Sequence, residues 1–205
     1  VAITNGYCTL AQVKAALRIT DSTDDALLEA SVESASRLID GYCNRGFWNQ
    51  GTATRVYTAR DPYYCNTDDF SGTAITLKTS VLSPGTFDVT WTATDYQPEP
   101  LNAVMEGIPW AYDRIRAVGR YFFPTLTVNY GSQALVQLTA SFGWTAVPSP
   151  VQQATIIQAS RLWKRLDSPL GVAGFGDMGV MRVGRALDPD VSQLVEPYRK
   201  MNLAV

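Results

Sequence analysis

The sequence predicts an α+β protein: a small antiparallel bundle of about four helices, with an antiparallel β unit inserted between the second and third. Three observations carry that expectation. Apolar residues recur with helical spacing near both ends of the 205-residue chain, they alternate with period two through its middle, and Gly/Pro turn signals mark the changes of period. The implied organisation is an N-terminal helical part at 1–46, a β unit at 47–147, and a C-terminal helical part at 148–205 that ends in a glycine-rich segment and a last helix.

The first helix is expected from about Leu10 to Leu17. Thr9 and Gln12 in "CTLAQVKAAL" have the capping-box spacing, in which each side chain satisfies the other residue's free backbone donor. A second helix is expected from about Asp24 to Tyr42. At 100° per residue Leu27, Leu28, Val32, Ala35, Leu38, Ile39 and Tyr42 share an arc of about 140°, which predicts its core face. Glu29, Glu33 and Asp40 gather on another side with Asp25 nearby, and they are expected as a solvated acidic face.

Strand alternation then takes over. "FDVTWTATDY" sets Phe87, Val89 and Trp91 against Asp88, Thr90 and Thr92, while "ITLKTSVL", "TLTVNY", "VQLTASFGW" and "DRIRAV" repeat the pattern. Ser83-Pro84-Gly85, Pro98 with Pro100, and Gly131-Ser132 supply the turns. Helical spacing returns at "VPSPVQQATIIQASRLWKRLDSP", where Ser149 is the expected N-cap, Pro150 the first helical residue and Gln152 the partner of a second capping box. Arg161, Lys164 and Arg165 form a basic side of this helix. Asp188 and Pro189 open a short last helix in "LDPDVSQLVEPYRK".

Composition excludes several kinds of chemistry. There is no histidine, so Ser-His-Asp, Cys-His and H-E-x-x-H sites are ruled out. Cys8, Cys43 and Cys65 are odd in number and widely spaced, without a C-x-x-C, so neither a disulfide framework nor a zinc site is expected and a reducing compartment is. No catalytic residue, metal or cofactor is expected. No apolar run approaches the roughly 20 residues of a membrane span, and a soluble protein is expected. Residues 1–100 carry 7 basic and 12 acidic groups, residues 101–205 carry 10 and 7. Opposite charge on the two halves is suited to self-association, whereas a nucleic-acid binder needs a far stronger basic footprint.

The stretch "SPLGVAGFGDMGVMRVGRALDPD" sets five glycines among Val, Phe and Met. A phosphate loop would join a strand to a helix N-terminus, as G-x-G-x-x-G or with a terminal Lys-Ser or Lys-Thr. Here the strip follows a helix, its order is G-x-x-G-x-G, and no such lysine is present. It is expected instead to be a surface that another chain covers. Candidate partner-facing residues are Arg161, Lys164, Arg165, Gly171, Gly174, Phe175, Gly176, Met178, Met181, Arg182, Arg185 and Tyr198. Asp25, Glu29, Glu33 and Asp40 are candidates for a channel lining or a contact between subunits.

Two stretches, "YCTLAQVKAALRITDSTDDALLEASVESASRLIDGYCNRGF" and "VPSPVQQATIIQASRLWKRLDSPLGVAGFGDMGVMRVGRALDPDVSQLVEPYRK", resemble the head-tail connector, or adaptor, proteins of tailed bacteriophages. The second is similar to variants from phages of actinobacteria, through "RLWKR", "DSPLGVAGFG" and "DPDV" in that order. The resemblance implies a non-enzymatic virion protein of the neck. Such a protein forms a ring, usually of twelve subunits, docks beneath the portal, receives a stopper or tail-completion protein, and lets genomic DNA pass through its channel. It implies no membrane. The minimal family pattern is almost wholly helical, so the resemblance assigns the β unit no role. The rival expectation is a carbohydrate- or surface-binding module using Trp48, Trp91, Trp110 and Trp144, with Tyr63, Tyr64 and Tyr96 as further aromatics. A carboxylate hydrolase based on Asp68 and Asp69 ranks last, because neighbours on a strand point to opposite faces and "CNTDDFSG" reads as a polar turn.

Overall fold

The computed structural model describes residues 2–80, 85–101, 104–105, 108–125, 135–165, 172–174, 180–182 and 187–200. The chain divides into two compact units, one made of Val1–Trp48 with Val147–Val205, the other of Asn49–Ala146.

In the first unit, α1 (Leu10–Leu17) starts with the Thr9/Gln12 capping box fully formed and stops at Arg18, whose backbone is left-handed. The long α2 (Asp25–Cys43) ends in the same way at Asn44, a residue type that tolerates this conformation. α3 (Ser149–Lys164) opens with Pro148 as the flanking residue, so Ser149 is already helical and makes no side-chain cap. The proline ring fixes the entry angle there, and the Gln152 side chain reaches the Val147 carbonyl at 3.4 Å instead of completing a capping box. α4 (Pro189–Val195) begins as expected, with the Asp188 carboxylate accepting the Asp190 N–H at 3.0 Å. A single 3-10 turn, Glu196–Tyr198, follows it. Cys8, Val13, Leu28, Val32, Ala35 and Ala159 make a common core for α1, α2 and α3.

The second unit is built on a six-stranded antiparallel sheet. Its strands are β1 (Gly51–Tyr57), β2 (Tyr64–Thr79), β3 (Val89–Thr90), β4 (Tyr96–Glu99), β7 (Tyr112–Ala117) and β8 (Val136–Phe142), with β5 (Val104–Met105) and β6 (Ile108–Pro109) as a separate pair. Neighbours run in the order β1-β8-β2-β7-β4, and β3 pairs with the far end of β2. In β8 strict alternation buries Val136, Leu138, Ala140 and Phe142 and leaves Gln137, Thr139 and Ser141 half exposed. At 16 residues β2 is too long to stay flat. Its register against β8 shifts between Ser71 and Thr76, where Gly72 has φ of +77°, so one strand bends to serve both ends of the core. Both sheet edges are blunted: β4 carries Pro98, which offers no N–H, and β1 turns Arg55 toward the core side, with its guanidinium 4.0 Å from the centre of the Phe142 ring.

This architecture corrects the expected fold class. The chain is four helices plus a six-stranded antiparallel sheet, sheet-rich, with strands set between helices, and not a small helical bundle carrying one inserted β unit. The physical reason is that the sheet closes a core of its own, from Ala59 and Cys65 through Phe70, Leu77 and Trp91 to Phe142, as substantial as that under the helices. Local expectations were also revised. "CNTDDFSG" is strand, not turn, and "TLTVNY" lies almost wholly outside the described residues, Thr125 bridging to Ala59. Leu27 and Leu38, expected in the core, are 50% and 46% exposed, because the partners of α2 cover only the Leu28–Val32–Ala35–Ile39 part of its apolar arc.

Because Gln137 and Leu138 face opposite sides of β8, an interior strand, they separate packing from backbone effects. Leu138→Ala is expected to cost about 2–5 kcal/mol through the cavity it leaves. Gln137→Ala should stay within about 0.5 kcal/mol. Urea denaturation of the two variants checks this difference.

Candidate assembly interface

The carboxylates of α2 form a half-buried seam. Asp25 pairs with Lys14 of α1 at 2.6 Å. Glu33 Oε1 accepts the backbone N–H groups of Thr4 and of Asn5, the latter at 3.0 Å. Asp40 accepts the Tyr7 hydroxyl and pairs with Arg37 at 2.8 Å. Glu29 is half-buried beside them. The expected solvated face is thus the strip on which residues 4–7 and α1 are fastened.

Tyr7 is the centre of this seam. Its ring is buried, its hydroxyl donates to Asp40, and its oxygen accepts the Phe47 N–H at 2.8 Å. Burial first, and then the neighbouring Asp40 carboxylate, raise the Tyr7 hydroxyl far above its ordinary range, so it remains a donor at any physiological pH. Burial also raises Asp40, against the opposing help of Tyr7 and Arg37. Both shifts follow from a donor–acceptor pair withdrawn from water, not from a site poised for proton transfer.

The basic residues of α3 are dispersed. Arg161 reaches Asp188 at 2.6 Å and so ties α3 to the cap of α4. Lys164 is exposed, and Arg165 is half-buried at the C-cap of α3. Tyr198, expected to face a partner, is a core residue instead: it is 1% exposed and sets its ring edge-on to Phe47 at 5.7 Å. The last helix folds back on α3, and the turn after it buries this ring. Gly171, Phe175, Gly176, Met178 and Arg185 lie outside the described residues. Gly174, Met181 and Arg182 belong to an antiparallel ribbon of β9 (Val172–Gly174) and β10 (Val180–Arg182), in register Val172↔Arg182 and Gly174↔Val180.

The tryptophans expected for sugar stacking are largely internal. Trp91 stacks on Phe123 at 4.7 Å and donates its indole N–H to Thr79. Trp144 is buried, donates to Asp69 at 3.0 Å, and packs against Trp110 at 5.0 Å. Trp48 is half-buried and Tyr96 is buried. Tyr63 and Tyr64 are exposed, as are Tyr121 and Phe122, whose signal in the sequence is the aromatic run before a proline in "RYFFP". Asp68 and Asp69 differ in burial along β2. Asp68 is exposed and pairs with Arg55 at 2.7 Å, while Asp69 is buried against Trp144.

A cleft of about 500 Å³ opens between residues 3–12, Val147 and Gln152 of the first unit. Its lining contains Tyr7 and Cys8 but no carboxylate, lysine or arginine. Among the described residues no group of three His, Cys, Asp or Glu could hold a metal ion, and no helix is long and apolar enough to cross a membrane.

Two outcomes follow from these environments. Burial pushes the thiols of Cys8, Cys43 and Cys65 up to about 12 from an ordinary 9.0. The fold therefore favours the neutral thiol: this contribution to stability is intact below about pH 9 and is lost as pH rises toward about 12. Native protein at pH 8 should leave all three thiols unreactive toward a disulfide reagent, and the melting temperature should fall progressively above about pH 9. Tyr7→Phe keeps the ring but removes the hydroxyl that accepts the Phe47 N–H and donates to Asp40. It should cost about 1–3 kcal/mol in chemical denaturation.

Comparison with known proteins gives this arrangement its context. Residues 7–69, which run from the pinning tyrosine through α1, α2 and β1 into β2, match the model of the phage gp6-like head-tail connector proteins. No curated protein sequence matches the chain. Among solved structures it is similar to a chain in the neck of an empty gene transfer agent particle computed with C6 symmetry, with a TM-score of 0.56 and 16% identity. A chain in the neck of the native particle computed with C12 symmetry gives 0.53 and 15%, and one in the native virion 0.55 and 16%. Each match covers 99% of this chain and 94% of the other, so both units are shared. Residues 7–69 are thus similar to the phage gp6-like head-tail connector proteins, and the fold is shared over the whole chain with a chain in the neck of a gene transfer agent particle.

Proposed function

We propose that this chain is a non-enzymatic virion protein that forms a ring at the head-tail junction, docks beneath the portal, receives the stopper or tail-completion protein and lets the genome pass through its channel. One observation carries the reading: a connector signature at residues 7–69 coincides with a whole-chain fold found in necks of C6 and C12 symmetry. Twelve copies is the stoichiometry this favours. A protein whose work is done by contacts needs rigid surfaces rather than a reactive cleft, and the satisfied seam of α2 supplies one.

In this reading the ribbon of β9 and β10, with Met181 and Arg182, faces the portal together with Lys164. Two-stranded ribbons have marginal stability alone, and a partner strand or groove would complete this one. The carboxylates of α2 support the ring by holding residues 4–7, and Glu29 lies along the same strip. The carbohydrate-binding alternative is weakened by the burial of Trp91 and Trp144.

The test is to mix the purified chain with portal rings from the phage that carries it and to follow mass by light scattering and shape by electron microscopy. The expected outcome is a ring of twelve copies stacked on the portal. A chain that stays apart from the portal, in a phage whose necks form normally without it, would sink the proposal.

A further inference from the structure

α2 has a third face besides its core side and its carboxylate seam. Leu27, Ala30, Ser34, Leu38 and Gly41 are all exposed, and their spacing puts them within an arc of about 80° along about 21 Å of helix. The two leucines are about half exposed, and the residues between them are small. Arg37 borders the stripe on one side and the buried Ser31 on the other. A helix that faces only water carries polar residues on its outer side, and a continuous uncharged stripe with leucines at both ends marks a surface that another chain covers.

We propose that this stripe is the apolar seam by which one copy of the chain docks on the next. The inference rests on the ring reading above, and two observations choose the occupant. First, the charged groups expected to join neighbouring copies already have partners inside the unit: Asp25 with Lys14, Asp40 with Arg37 and Tyr7, Glu33 with the backbone at 4–5, and Arg161 with Asp188. Contact along α2 is left to apolar packing. Second, chains of this fold stand in gene transfer agent necks computed with C6 and C12 symmetry. In a cyclic ring each copy meets a different surface of the next, so one copy presents a stripe that nothing in the same copy repeats. Ala30, Ser34 and Gly41 let the neighbour's backbone come close, while Leu27 and Leu38 fill its hollows.

The test compares the wild-type chain with Leu27→Glu/Leu38→Glu, each alone and with portal rings, by light scattering and electron microscopy, with circular dichroism to follow folding. Both leucines are solvent-facing in the single chain, so the variant should keep the wild-type melting curve and lose rings by at least tenfold in the concentration needed. A folded variant that forms rings as readily as wild type overturns the seam while leaving the ring reading intact. A wild-type chain that makes no ring under either condition overturns the ring reading and the seam with it. Ser34→Cys gives a second readout that does not depend on the glutamates folding, since the native thiols are buried. A maleimide photo-crosslinker on Cys-substituted Ser34 should react freely in the single chain, be excluded once rings form, and join copy to copy when attached beforehand. Persistent reactivity in the ring, or crosslinks to the portal alone, would overturn the proposal.

Discussion

One tyrosine hydroxyl closes the helical unit. That unit is assembled from two separate pieces of chain, 1–48 and 147–205, so its stability depends on joining segments that are distant in sequence. Tyr7 sits at the joint. Its hydroxyl answers Asp40 near the end of α2, its oxygen takes the backbone N–H of Phe47 just beyond that helix, and its ring meets Phe47 edge-on at 5.7 Å. Phe47 in turn receives Tyr198 from the other end of the chain. The Lys200 N–H then donates to the Cys43 carbonyl at 2.8 Å, and Tyr42 donates to Glu196. The Tyr7 hydroxyl and the Phe47 N–H would each be costly to bury alone, and at the joint each has its partner.

Electrostatics follows from the same closure. By sequence, α2 has an acidic side and α3 a basic one. In the folded unit most of those charges act at short range on their own chain, fixing α1, the first residues and the cap of α4. The pairs are partly exposed and contribute modestly to stability, but they set where the segments lie. What the helix offers outward is then decided by what remains, which is largely apolar.

The sheet unit solves a different problem. A six-stranded antiparallel sheet must cover a core with one face and end without inviting further strands. The bend in β2, with Gly72 at positive φ within its register shift, does the first. Pro98 at one edge and the inward Arg55 at the other do the second. Such a sheet belongs to the architecture of the whole chain, as its presence in the gene transfer agent neck fold also indicates.

Local signals were legible in the sequence wherever a residue acts on its immediate neighbours: the Thr9/Gln12 capping box, Asp188 and Pro189 at the start of α4, the alternation of β8, and the absence of any histidine-based site. The connector resemblance was legible too, because it is carried by such local patterns. Only the tertiary structure decided which part of an apolar arc is covered, so Leu27 and Leu38 stand outside while Tyr198 and Trp144 are within. It also decided the partners of Asp40 and Glu33 and turned Asp69 inward, and it gave the sheet a core that makes it a principal body of the fold. The reason is physical: periodicity states which residues can share a face, whereas burial depends on how much partner surface arrives from elements far away in the chain.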